Sequence, residues 1–186
     1  MKKFLLAVMT ILTGAQMQAN TQAVKEQKVL IAYFSWGGNT KTIAEYIHEA
    51  AGGDMFEIKT LQPYPKEYNP TVDTAKEEQR LNARPKLSAT IDNMSGYDTV
   101  FLGYPNWWGT IPMALFTFLE AYDLTGKTII PFCTHEGSGF GSSIDDIKRL
   151  SPNALILQGF VVRGGSVKRA KNDVDKWISR LDIGGR

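Results

Sequence analysis

A chain of 186 residues, 43% hydrophobic and 11% aromatic, carries enough apolar material for one domain with a real core, which excludes a disordered or fibrous protein. The formal charge is only +2, and no basic tract is interleaved with aromatics, so nucleic acid is not an expected partner. The single cysteine, Cys133, excludes an internal disulfide and sits in an apolar segment that suits a nucleophile poorly.

The chain opens with Lys2 and Lys3, an apolar stretch over residues 4–12 and a polar tail containing Thr21-Gln22-Ala23, the layout of a secretory signal peptide. Such a stretch is too short to cross a bilayer, so no stable membrane anchor is expected after cleavage. Cleavage after Ala19 or after Ala23 fits, the second with the better small-x-small ending, and no cysteine lies nearby to take a lipid. The other reading is a merely hydrophobic tail. Residues 1–23 are therefore expected to be a signal peptide and residues 24–186 the functional domain, exported to the periplasm or secreted. Loss of Lys2 and Lys3 brings the 21 basic residues level with the 19 acidic ones, which leaves the mature domain electrically balanced.

Residues 29–34 form an unbroken apolar run rich in β-formers, the pattern of a strand buried on both faces. A helix follows, with Thr40, Ile43, Ala44, Ile47, Ala50 and Ala51 on one face and Gly52-Gly53 as its stop. Between them lies Ser35-Trp36-Gly37-Gly38-Asn39-Thr40, at the carboxyl end of a strand and the amino end of a helix. Free backbone N–H groups, the positive end of the helix dipole and the hydroxyls of Ser35, Thr40 and Thr42 suit this loop to an anion. It is not a P-loop, which requires Gly-Lys-Ser/Thr, nor a Gly-x-Gly-x-x-Gly dinucleotide turn. The bland reading is an ordinary strand-to-helix turn with a threonine cap.

A short second strand is expected over residues 55–58. The tract 60–92 is irregular, punctuated by Pro63, Pro65, Pro70 and Pro85, with a polar helix over residues 71–82. Connections this long tend to be functional or mobile, and a cover for the site is one reading. The third strand, residues 99–104, runs into Pro105-Asn106-Trp107-Trp108-Gly109 and then into an apolar helix over residues 113–122. Core packing is the ordinary fate of a tryptophan, but neighbours on one loop can hardly both point inward, so a flat ring stacked on one of them is the sharper reading. The fourth strand, residues 127–134, contains Pro131, which removes a ladder donor and implies a local bulge. The loop after it holds Thr134, His135, Gly137, Gly139 and Gly141, and three glycines in five residues imply close backbone approach or an unusual turn. A helix to about Leu150 follows, then a fifth strand over residues 154–157 and 160–162 interrupted near Gly159. The last helix places Val167, Ala170, Val174, Trp177, Ile178 and Leu181 on one face and ends at Gly184-Gly185. Five strands alternating with helices make an α/β fold with a parallel sheet covered on both sides.

The first loop resembles the phosphate loop of the flavodoxin family, Thr/Ser-x-Thr-Gly-x-Thr, with Ser35, Gly38, Asn39 and Thr40 matching and Gly37 in place of the usual hydroxyl residue. The resemblance covers residues 28–181. It implies a flavodoxin-like, doubly wound, five-stranded parallel sheet of order 2-1-3-4-5, in which the first, third and fourth strands border the topological switch point where ligands bind. The implied cofactor is FMN. Ser35, Gly38, Asn39, Thr40 and Thr42, in a loop shared with Trp36 and Gly37, would hold its phosphate. Residues 104–109 are similar to the second flavin loop and to the Pro-x-x-Phe-Gly form of flavodoxin-like quinone reductases. That match puts Pro105, Asn106 and Trp107 beside the ring, Trp108 stacked on it and Gly109 near N5. Thr134, His135, Gly137 and Gly139 fall in the third flavin loop, whose N–H groups would polarise the pyrimidine edge.

His135 is the one group there with chemistry near neutral pH, able to donate to flavin or quinone, with a role-free surface histidine as the alternative. His48 is read as solvated. Arg163, Lys168 and Arg169 suit either a nicotinamide phosphate or a charged helix start. No metal site is expected. The functional expectation is an FMN-dependent oxidoreductase that passes electrons to a small acceptor such as a quinone. The alternative is a flavodoxin-type carrier serving a protein partner, which the balanced charge and the long tract argue against.

Overall fold

The computed structural model describes residues 27–181, so the expected signal peptide and the Gly184-Gly185 stop lie outside the described residues. The strands are β1 (Val29–Tyr33), β2 (Asp54–Glu57), β3 (Thr99–Pro105), β4 (Thr128–His135), β5 (Leu155–Ile156) and β6 (Phe160–Arg163). All pair in parallel in the order β2-β1-β3-β4, and β5 and β6 share the edge of β4 one after the other. The expected order holds, with the fifth position divided between two short strands. Among the described residues, no helix is long and apolar enough to cross a membrane.

Alternation along the central strands feeds two cores. Leu30, Ala32, Val100, Leu102, Ile129 and Cys133 face one side, under α3 (Met113–Glu120) and α4 (Ser143–Leu150). Ile31, Tyr33, Phe101, Ile130 and Phe132 face the other, under α1 (Asn39–Ala51) and α5 (Lys171–Ile178). On α1 the helical spacing works as expected: Ile43 and Ile47 are fully buried, each worth about 1.5–3 kcal/mol, and Gly52 and Gly53 take positive φ to end the helix. The expected last helix is instead a 3-10 turn, Gly164–Arg169, followed by α5, so Val167 reaches the core from a turn rather than a helical face.

Pro131 makes no bulge. The register of β4 against β3 is continuous from Thr99↔Thr128 to Pro105↔Thr134, and the interruption lies in the neighbour. The Ile129 carbonyl accepts the Leu157 N–H on the β5 side, and two-residue alternation turns Pro131 to the same edge, opposite the break between β5 and β6. The missing donor therefore falls where no strand is available to accept it. Gly159 sits in that break because a Cβ there would press on the Pro131 carbonyl and the Phe140 ring.

The 60–92 tract carries α2 (Tyr68–Arg80), three residues earlier at its start than the sequence suggests, with Pro70 tolerated in the first turn. It leans on α3. Arg84 forms a two-pronged ion pair with Glu120 at 2.6 and 2.7 Å and lays its guanidinium 5.1 Å from the centre of the Phe116 ring. That cover explains how α3 can be apolar almost all round.

Candidate functional site

The loops after β1, β3 and β4 converge on one cavity of about 490 Å³ at the carboxyl edge of the sheet, within the usual range for small-molecule sites. Most of the sequence-derived residues line it: Ser35, Trp36, Gly37, Asn39 and Thr40 from the first loop, Pro105, Asn106, Trp107, Trp108 and Gly109 from the second, and Thr134, His135 and Gly137 from the third.

At one end the amino terminus of α1 opens into the cavity. Gly38 precedes it at φ +87, a left-handed turn that glycine adopts freely. The first-turn amides have no carbonyl partner within their own helix, and the Ser35 hydroxyl accepts only the Lys41 N–H, at 3.2 Å. Thr40 and Thr134, both buried, join hydroxyls at 2.9 Å and so tie the first loop to the third. Two hydroxyls carry two protons and their shared bond uses one, which leaves one to donate into the cavity. Thr42 does not contribute: its hydroxyl donates to the Gly38 carbonyl at 3.2 Å, inside its own helix.

The second loop separates its two tryptophans. Trp107 turns inward, edge-on to Phe34 at 5.2 Å and to Tyr64 at 5.1 Å. Trp108 stays 48% exposed at φ +53, its indole N–H donating to the Val72 carbonyl at 3.1 Å. Asn106 braces this turn, accepting the Gly109 N–H at 3.0 Å and donating to the Gly139 carbonyl at 3.0 Å. The Gly109 carbonyl accepts the Ser142 N–H at 2.8 Å. Gly139 thus works behind the cavity wall, locking the second loop to the third.

In the third loop the Gly137 N–H donates to His135 Nδ1 at 2.8 Å. That amide is engaged, contrary to the expectation that it would polarise a bound ring, and the neutral imidazole keeps its proton on Nε2. Arg163 faces Glu136 at 3.7 Å, an exposed pair at the start of the 3-10 turn. Cys133 lies beneath, and burial pushes its thiol up to about 12, which disfavours the thiolate.

Four lining residues were not foreseen: Tyr68, Glu136, Ser138 and Gly164. Gly164 had a signal in its Gly-Gly pair: a Cβ there would run into the Glu136 carboxylate and the Asn39 side chain. Tyr68 had only the length of its tract, read as one possible cover for the site; which residue of it reaches the cavity depends on the tertiary course that brings α2 there.

The arrangement fits the group the sequence implies. Helix N-terminal amides and a free hydroxyl proton at one end suit a phosphate held without a cation, and the aromatic faces and backbone polar groups at the other suit a flat heterocycle.

A family model described as flavodoxin matches residues 28–181. A candidate flavoprotein from Bacteroides eggerthii DSM 20697 is 32% identical, covering 79% of this chain and 97% of its own, with a TM-score of 0.67. Another, from Bacteroides uniformis ATCC 8492, is 28% identical over 83% and 99%, with a TM-score of 0.71. A flavoprotein in complex with FMN, from Lactobacillus acidophilus NCFM, is 26% identical over 82% and 99%, with a TM-score of 0.64. No curated protein matches the chain.

Proposed function

The chain belongs to the flavodoxin family, and from that premise we propose that it is an exported, FMN-dependent oxidoreductase that passes electrons from a reductant to a small acceptor such as a quinone. The observation that carries the reading is the Thr40–Thr134 hydroxyl pair beside the amino terminus of α1, in a cavity that Trp36, Tyr68, Trp107 and Trp108 also line. Bound FMN supplies reversible hydride and electron chemistry.

The chain's own residues bind and orient. The first-turn amides of α1 and the free proton of the hydroxyl pair hold the phosphate, and Trp108 offers a face to the ring. Asn106 fixes the turn at Gly109, and His135 presents Nε2–H as a donor to a ring or acceptor oxygen. Tyr68 and Val72 on α2 line the aromatic side of the site, which favours an enzyme with a seat for a small molecule over a carrier with an open edge.

An anaerobic titration of the FMN-loaded mature chain with NADH and then NADPH tests the proposal. Bleaching of the visible flavin band, followed by recovery on adding a quinone, is expected. A band that resists both nicotinamides yet bleaches with dithionite assigns the chain to the carriers. Export through residues 1–23 is checked by N-terminal sequencing of the protein from the periplasmic fraction, which should begin at Asn20 or Val24.

A further inference from the structure

The 60–92 tract closes on itself at its base. Thr60 and Leu87 pair as an antiparallel bridge, the Leu61 N–H donating to the Lys86 carbonyl at 2.7 Å and the Ser88 N–H to the Lys59 carbonyl at 2.8 Å. Further out the two segments carry Pro63 and Pro85, which have no amide to continue a ladder. Between these segments and α2 lies a cavity of about 710 Å³, larger than the cavity at the carboxyl edge of the sheet and sharing no lining residue with it. It falls within the range of small-molecule sites.

Three charged side chains line this cavity, and they are unequally satisfied. Arg84 is engaged throughout: its guanidinium donates to both oxygens of Glu120 and to the carbonyls of Asn82 and Ala83. Glu78 is the opposite case. One of its oxygens accepts from the Tyr64 hydroxyl at 2.6 Å, and among the described residues no cation pairs with this half-buried carboxyl. Lys86 is exposed and, among the described residues, has no carboxylate partner. A carboxylate drawn partly out of water gains from a counter-charge that a single hydroxyl proton does not supply. The cavity thus holds one unmatched anion and one unmatched cation. A simple cation entering it meets the repulsion of Lys86, and a simple anion meets that of Glu78. A molecule bearing both charges satisfies both.

We infer that this cavity is a binding site for a zwitterionic ligand of dipeptide size, its ammonium on the free oxygen of Glu78 and its carboxylate at Lys86. Pro63, Pro65 and Pro85 give the site stiff apolar walls for the rest of the molecule. The site stands independently of the oxidoreductase reading, because none of its residues belongs to the loops that hold the cofactor.

The test is calorimetric binding of glycyl-leucine to the FMN-loaded mature chain at about pH 8, where the Glu78 carboxyl is ionised. Two blocked analogues are run beside it: N-acetylglycyl-leucine, which lacks the ammonium, and glycyl-leucinamide, which lacks the carboxylate. Blocking the ammonium should weaken binding about tenfold, and blocking the carboxylate about threefold, because Lys86 is the more exposed partner. Two variants separate charge recognition from folding. Glu78→Gln, which keeps an acceptor for Tyr64, should lose the preference for a free ammonium and retain that for a free carboxylate; Lys86→Met should do the reverse. FMN affinity of both variants should stay within about twofold of the parent. Absence of saturable glycyl-leucine binding, equal binding of all three compounds, or variants that weaken all three alike overturns the inference. So does a loss of FMN affinity in either variant, which would merge this cavity with the cofactor site. If the parent chain does not bind FMN, the oxidoreductase reading fails, and the same series on the flavin-free chain decides the cavity by itself.

Discussion

Two regions meet at the cavity and are held by different forces. The loops after β1, β3 and β4 are tied to one another through buried hydroxyls and backbone: Thr40 to Thr134, Asn106 to Gly139, the Ser142 N–H to the Gly109 carbonyl. The 60–92 tract, apart from Tyr64 and Thr71 bonded under cover, leans on exposed side chains: the Trp36 indole to Pro65, Gln79 to the Trp108 carbonyl at 3.2 Å, Arg84 to Glu120. Losing a buried bond leaves a polar group without water, whereas an exposed one is replaced by solvent at little cost. The cofactor end is therefore rigid by construction, and the wall formed by α2 can change without unfolding the rest.

The sharpest way to break that contrast is at Gly141, which lies at φ +56 where an added Cβ would fall on the Gly109 carbonyl. Gly141→Ala adds a Cβ that collides with backbone in a conformation L-residues avoid, and should cost about 3 kcal/mol in urea unfolding and most FMN binding. A loss within experimental error would mean the loops are not locked to each other. Next comes Thr134→Val, which keeps the shape but strands the buried Thr40 hydroxyl. A stability loss of about 1–3 kcal/mol is expected, with FMN held about tenfold more weakly. Unchanged FMN affinity would remove the hydroxyl pair from the phosphate site.

The same contrast explains what could be read from the residues. The run from Val29 to Gly53 announces itself through local rules, two-sided burial in β1 and a 3.6-residue face on α1, and the loop between them follows from position alone. The tryptophan pair was legible as an argument about geometry, that both could not face inward, although which one did so depended on Phe34 and Tyr64. Thr42 misled because its residue type suits a phosphate, while its place four residues after Gly38 suits a bond within the helix. The place of the split between β5 and β6 was legible at Gly159, but Tyr68 and the reason for that split were beyond local rules. The first needs the path of a proline-rich tract, and the second needs Pro131 and Gly159 seen across two strands.

The smallest expected effect belongs to the tract and is read through pH. Burial raises the Glu78 carboxyl above its ordinary value of 4.5, and the hydrogen bond from the Tyr64 hydroxyl, 2.6 Å long, pulls the other way without cancelling it. The folded state therefore holds its proton more tightly than the unfolded chain does. Stability from this group is fully present below the unfolded value and is lost as pH rises through the raised folded value, because above it the fold must carry a half-buried charge that the unfolded chain solvates fully. Glu78→Gln keeps a carbonyl to accept from Tyr64 and has no proton to lose. Its stability relative to the parent should climb from about pH 4 upward and then level off, as measured by urea midpoints across that range. A difference that does not vary with pH would show that Glu78 is as well solvated as the rest of the tract, and that the Tyr64–Glu78 contact belongs with the exposed fastenings.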